Sequence, residues 1–174
     1  MAMVGLFWIV EGDVYVGAKP SGESPGVRLT PEGVLALGHG QAGLYPWEDV
    51  GALTVVDVPV KSLKRQVGAV ADMALGTVLA FGVGSGGGDD APPLMTVRLA
   101  ASGDERELGA YAAAAVGYTA TEVELSRAVL ARLTEGAATM STTLAEMSRW
   151  GRAREGGSPR AGEREALLRG WADR

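Results

Sequence analysis

The chain has 174 residues, 47% of them hydrophobic, with no cysteine and a formal net charge of −5. That length can bury a core without covalent help, and the missing cysteines exclude a disulfide scaffold and any thiolate zinc, redox or nucleophile site. The acidic balance disfavours nucleic acid, whose binding depends on neutralising phosphates, and electrostatic attachment to an anionic membrane.

The charge is unevenly spread. Residues 1–60 hold two basic and seven acidic side chains, and residues 101–136 hold three and six. Residues 61–100 hold four and three, and residues 137–174 hold seven and five, so an acidic body carries a mildly basic tail. Met1 to Val10 is apolar but has no basic leader, and Glu11 and Asp13 follow at once. No secretory pattern is therefore read, and the cytoplasm is the expected compartment. Thirteen Arg against three Lys, a single Ile and no Asn look like high-GC bacterial codon usage.

In chain order, Leu6-Phe7-Trp8-Ile9-Val10 and Asp13-Val14-Tyr15-Val16 are β-prone runs separated by Glu11-Gly12, a hairpin signal. Lys19 to Gly26 is rich in Pro, Ser and Gly and reads as a loop. Val27 to Thr30 and Val34 to Leu37 flank Pro31-Glu32-Gly33, which suits a reversal between antiparallel strands. His39 to Gly43 forms another turn. Leu44-Tyr45-Pro46-Trp47-Glu48-Asp49-Val50 then places a rigid aromatic turn before the most β-prone run of the sequence. Here one short sheet is expected to hand over to another. Trp47 is expected to be substantially buried beneath the following strand. That strand, apolar on both faces through Leu53, Val55, Val56 and Val58, reads as central.

After Lys61 the period changes. Val67, Val70, Ala71, Ala74, Leu75 and Val78 recur at three and four residues, predicting a helix over about 66–82. A Gly-rich loop follows over 82–93. Leu94 to Leu99 alternates as a strand, and Glu105 to Tyr111 pairs back on it across Ser102-Gly103-Asp104. Thr119 with Glu122 forms a capping box, and Tyr118 with Val123 a hydrophobic staple, so a helix runs from there to Gly136. Its apolar stripe is Val123, Leu125, Val129, Leu130 and Leu133. A further helix covers Met140 to Ala153, a linker Glu155 to Pro159, and a short amphipathic tail Glu163 to Trp171.

No motif here carries chemistry. Gly82-Val83-Gly84-Ser85-Gly86-Gly87 fits the glycine spacing of a dinucleotide loop. Asp89, Asp90, Pro92 and Pro93 stand where a helix N-terminus should receive the pyrophosphate, so it reads as loop. His39 has no ligand-spaced neighbours. The acidic pairs Glu48-Asp49 and Asp89-Asp90 read as solvated. An enzyme would need a pocket gathering groups such as Asp57 or Tyr111. No cofactor and no metal is expected.

The order "strand, turn, strand, aromatic, Trp-acid-acid-hydrophobic, strand" resembles bacterial pleckstrin-homology-like (PH-like) domains. It is carried by Val27-Arg28-Leu29-Thr30-Pro31-Glu32-Gly33-Val34, by Tyr45-Pro46-Trp47-Glu48-Asp49-Val50, and by the run from Leu94 through the helix at 119–135. The resemblance covers about residues 4–136. It implies an α+β fold, a barrel or sandwich of about seven antiparallel strands closed by a C-terminal helix. The helix at 66–82 would be an insertion, with an additional helix at 137–154 and a linker and tail at 155–174. In this chain the first hairpin loop, Glu11-Gly12-Asp13, is acidic where phosphoinositide binders present Lys and Arg.

The expected function is a non-enzymatic adaptor that binds a protein partner or itself, a homodimer among the outcomes. Its candidate surface is Val70, Ala74 and Val78 of the inserted helix with Trp150, Leu167, Leu168 and Trp171 of the C-terminal segments. Those last four either form a partner surface or dock on the body. The alternatives are a peripheral membrane protein using the inserted helix and an enzyme of unfamiliar type.

Overall fold

A computed structural model describes residues 2–61, 92–114 and 117–173. The fold is α+β with two antiparallel sheets. The first is a meander of six strands in sequence order: β1 (Ala2–Val4), β2 (Phe7–Val10), β3 (Asp13–Val16), β4 (Gly26–Leu29), β5 (Gly33–Leu37) and β6 (Gly43–Pro46). The second holds β7 (Val50–Val56), β8 (Leu94–Ala101) and β9 (Asp104–Tyr111), with β8 in the middle. Three helices follow: α1 (Ala120–Leu133), α2 (Ala137–Ala153) and α3 (Ala161–Ala172).

Alternation explains the six-stranded sheet. Val4, Phe7, Ile9, Val14, Val16, Val27, Leu29, Val34 and Ala36 all point to one face and are almost wholly buried. Against them pack Leu53, Val55, Met95, Val97 and Leu99 of the second sheet and Val129, Leu130 and Leu133 of α1, forming one core. The handover between the sheets lies where the sequence placed it. A single 3-10 turn, Trp47–Asp49, separates β6 from β7.

Four expectations need correction. Nine strands occur among the described residues in place of about seven, because Ala2–Val4 and Gly43–Pro46 also pair. The second of these is extended because Pro46 restricts Tyr45 to β geometry, and Tyr45 then pairs with Val34. Second, the sheets do not close into a barrel.

Third, β7 is an edge strand and not a central one: among the described residues it pairs only with β8. Its second apolar face comes from Val58, which packs against the core beyond the strand end. Fourth, Trp47 is only partly buried, and it leans back instead of forward. Its indole Nε1 donates to the Thr30 carbonyl at 2.6 Å, tying the turn to the β4–β5 corner. Glu48 and Asp49 are exposed, as expected of that acidic pair.

The body and its C-terminal segments form one packed unit. Leu144 and Met147 of α2 and Leu168 and Trp171 of α3 belong to the same core as the strands. Gly5 holds φ +57, and a Cβ there would strike the Ser126 hydroxyl and Leu168, so the first turn requires glycine to let α1 and α3 approach.

Candidate interaction surface

The outer face of the six-stranded sheet carries a continuous cross-strand row. Met3 lies opposite Trp8, Trp8 opposite Tyr15, Tyr15 opposite Arg28, Arg28 opposite Leu35, and Leu35 opposite Leu44. At an inter-strand spacing of about 4.8 Å, five spacings make the row roughly 24 Å long. Its one charge is neutralised locally, since Arg28 Nη2 bonds Asp13 Oδ1 at 2.6 Å. Tyr15 at its centre is buried, Met3, Trp8 and Leu35 are partly buried, and Leu44 at the β6 end is 49% exposed.

The sheet edges differ in how the chain treats them. At β1, the Met3 amide donates to Ser158 Oγ at 2.9 Å. At β7, the Val55 carbonyl accepts from Arg127 Nε of α1 at 2.9 Å. At β9, Gln41 acts as a two-sided clip. Its Oε1 accepts from the Gly109 amide at 2.8 Å, and its Nε2 donates to the Gly109 carbonyl at 3.0 Å. Ala18 N adds a bond to Tyr111 O at 2.7 Å, where a Cβ on Gly17 (φ +76) would collide with that carbonyl. At β6 no capping contact occurs among the described residues.

The β1 edge is closed most heavily, by the tail. Glu122, 2% exposed, sits one turn into α1. Its amide bonds Thr119 Oγ1 at 3.1 Å and the Thr119 hydroxyl donates to its Oε2 at 3.0 Å, which is the predicted cap. The other carboxylate oxygen accepts from Arg164 Nε of α3, and Arg164 Nη1 also donates to the Pro159 carbonyl at 2.7 Å. Ser126, fully buried, donates to the Glu122 carbonyl at 2.6 Å and accepts from the Leu6 amide at 3.0 Å. Burial by itself pushes the Glu122 carboxyl upward. The Arg164 guanidinium, through its hydrogen bond and its charge, outweighs that together with Thr119, and the carboxyl titrates below its ordinary range. Burial pushes the Tyr118 phenol up, against the lowering effect of hydrogen bonds from backbone at Ala113 and Ala114.

The four C-terminal residues of the predicted surface each have a definite place. Leu168 is 0% and Trp171 5% exposed, so the structure adopts the docking alternative for these two and neither is free to meet a partner. Trp150 is partly buried, meets the Trp171 ring edge to face at 5.9 Å, and carries the Arg154 guanidinium 5.7 Å above it. Leu167 lines an open groove of about 330 Å³ between α2 and α3, with Glu146, Glu163 and Gly170. Val70, Ala74 and Val78, like the Gly82 to Gly87 loop, lie outside the described residues.

His39 is exposed in its turn. Asp57 Oδ2 accepts from the Thr96 hydroxyl at 3.0 Å, and neither Asp57 nor Tyr111 lines the groove between α2 and α3. Among the described residues no cluster of three or more His, Asp or Glu could hold a metal ion. No described helix is long and apolar enough to cross a membrane.

The contacts of Gln41, Ser126, Ser158 and Arg164 are not legible in the sequence. Each is a polar residue whose partner lies far along the chain, and local spacing contains no sign of it. The outer-face row was legible in principle, since Trp8, Tyr15, Leu35 and Leu44 are large apolar residues at positions that alternate with the core set.

No protein-family model, no curated protein and no solved structure matches this chain.

Proposed function

We propose that the chain is a non-enzymatic protein-binding module that self-associates. The observation that carries this reading is the outer-face row of the six-stranded sheet, which opens to solvent at Leu44, the exposed end of an otherwise apolar stripe. The surface on offer is this end of the row, because Tyr15 is buried and Met3 packs against the core, and an exposed apolar residue on an edge strand favours pairing with another chain. Leu168 and Trp171 do not compete for this role, because both are buried in the chain's own core.

The pleckstrin-homology-like assignment belongs to the same proposal. It is supported by two antiparallel sheets in succession and by a capped helix after the last strand. Within that reading the module is not a phosphoinositide binder. The first hairpin loop offers Glu11, Gly12 and Asp13, and Asp13 is already paired with Arg28.

Sedimentation equilibrium over a range of protein concentration tests the reading. The average mass is expected to rise above the 17.9 kDa monomer as concentration increases. A mass that stays at the monomer value throughout overturns self-association.

A further inference from the structure

We infer that the partner is a second copy of the chain, joined through the β6 edge by antiparallel pairing with Leu44 opposite Leu44 of the other copy. This rests on the self-association reading above and names its contact. The Trp47 amide donates to the Glu32 carbonyl, and Gly33 lies opposite Pro46. Antiparallel ladders alternate between hydrogen-bonded and non-bonded pairs. Pairs 32/47 and 34/45 are therefore the bonded ones, and the Leu44 amide and carbonyl point away from β5. Among the described residues they meet no donor or acceptor. Two copies related by a two-fold axis at Leu44 satisfy both groups reciprocally, each amide meeting the other copy's carbonyl.

Three further observations are met by a second copy of this chain. Each of the other sheet edges carries at least one capping contact from the chain itself, through Ser158, Arg127 and the Gln41 clip with Ala18, whereas β6 has none among the described residues. Edges are blunted by charge, by short length or by proline; β6 carries no charge on Gly43, Leu44 or Tyr45, while its four residues and Pro46 limit any added ladder to a short one centred on Leu44. Antiparallel pairing also sets the acidic Glu48-Asp49 end of one copy beside the neutral Gly40 to Ala42 turn of the other. Parallel pairing would set the two acidic ends side by side. The dyad joins the two outer-face rows into one stripe, Leu44 against Leu44, which is the apolar contribution to the contact.

A contact this small falls below the roughly 1,200 Å² of a standard stable interface, so the dimer is a weak, concentration-dependent one. The absence of native cysteine makes the test direct. In a bonded antiparallel pair the two Cα atoms lie about 5.5 Å apart, within disulfide reach. The full chain carrying Leu44→Cys is oxidised at high concentration beside a control carrying Glu105→Cys on β9, and wild type and Leu44→Lys are sedimented in parallel. Expected are a disulfide-linked dimer of the Leu44→Cys protein well above the control, a wild-type mass that rises with concentration, and a Leu44→Lys protein that is folded by circular dichroism and stays monomeric. A wild-type mass that rises without an excess of cross-linking in the Leu44→Cys protein overturns the β6 contact and leaves self-association standing. A wild-type mass fixed at the monomer overturns both.

Discussion

The two edges of the six-stranded sheet are treated in opposite ways. At β1 the chain returns from 155 residues away to cap the Met3 amide with Ser158, and the helix that follows is fastened by Arg164 to Glu122 and by Leu168 to the core. At β6 the chain passes on into the 3-10 turn, and among the described residues no contact caps the half-exposed Leu44. A polypeptide that uses a helix to seal one edge and puts no charge on the other has differentiated them. The sealed edge serves stability. The bare edge is where binding is proposed.

Substitutions can break this contrast from its strong side first. Arg164→Ala is expected to have the largest effect, about 3–5 kcal/mol in urea unfolding, because it leaves the Glu122 carboxylate buried without its counter-charge, held by the Thr119 hydroxyl alone. An exposed pair such as Arg98 with Glu107 is expected to contribute less than about 1 kcal/mol.

The same latch sets a pH dependence. Glu122 has a folded pKa below its unfolded value, so its contribution is complete above the ordinary carboxylate range and is lost as pH falls through the folded value. Acid should therefore narrow the stability difference between wild type and Arg164→Ala, as measured by unfolding at a series of pH values. A gap independent of pH would contradict the ion pair.

Smaller effects follow. Gln41→Ala removes four hydrogen bonds that join the Gly109 edge and the β4–β5 end. A loss of about 1–3 kcal/mol is expected from the unsatisfied backbone groups. Ser158→Ala removes one partly solvated bond and should cost roughly 1 kcal/mol by the same assay. Leu44→Lys should be smallest, within about 0.5 kcal/mol, since it alters an exposed side chain that the monomer does not use.

These magnitudes follow what could be read in the sequence and what could not. The Thr119 cap, the Tyr118 and Val123 staple and the hairpins around Glu11-Gly12 and Ser102-Gly103 are local, so spacing revealed them. The sheet handover at Pro46-Trp47 was legible for the same reason: proline dictates the backbone on both sides of it. Short strands gave a weaker signal, and Gly43–Pro46 read as turn because four residues with one Pro carry little alternation. The apolar run at Leu53 to Val58 suggested a central strand, whereas its extra apolar residue packs past the strand end.

The tail misled in a more instructive way. Trp150, Leu168 and Trp171 stood out as unabsorbed apolar residues because their partners are distant in sequence. Their fastenings, Arg164 with Glu122 and Ser158 with Met3, are long-range and polar, and no periodicity announces them. The exposure of Leu44 is the least legible feature, because it depends on what the rest of the fold leaves open and not on its place one residue before the Tyr-Pro-Trp turn.

Residue-resolved amide exchange, followed at increasing protein concentration, tests the contrast between the edges most directly. The Met3 amide, bonded to Ser158, should be protected at every concentration. The Leu44 amide should exchange freely in dilute protein and become protected as concentration rises. A Leu44 amide already protected at the lowest concentration would show that the chain covers this edge itself and would contradict the account.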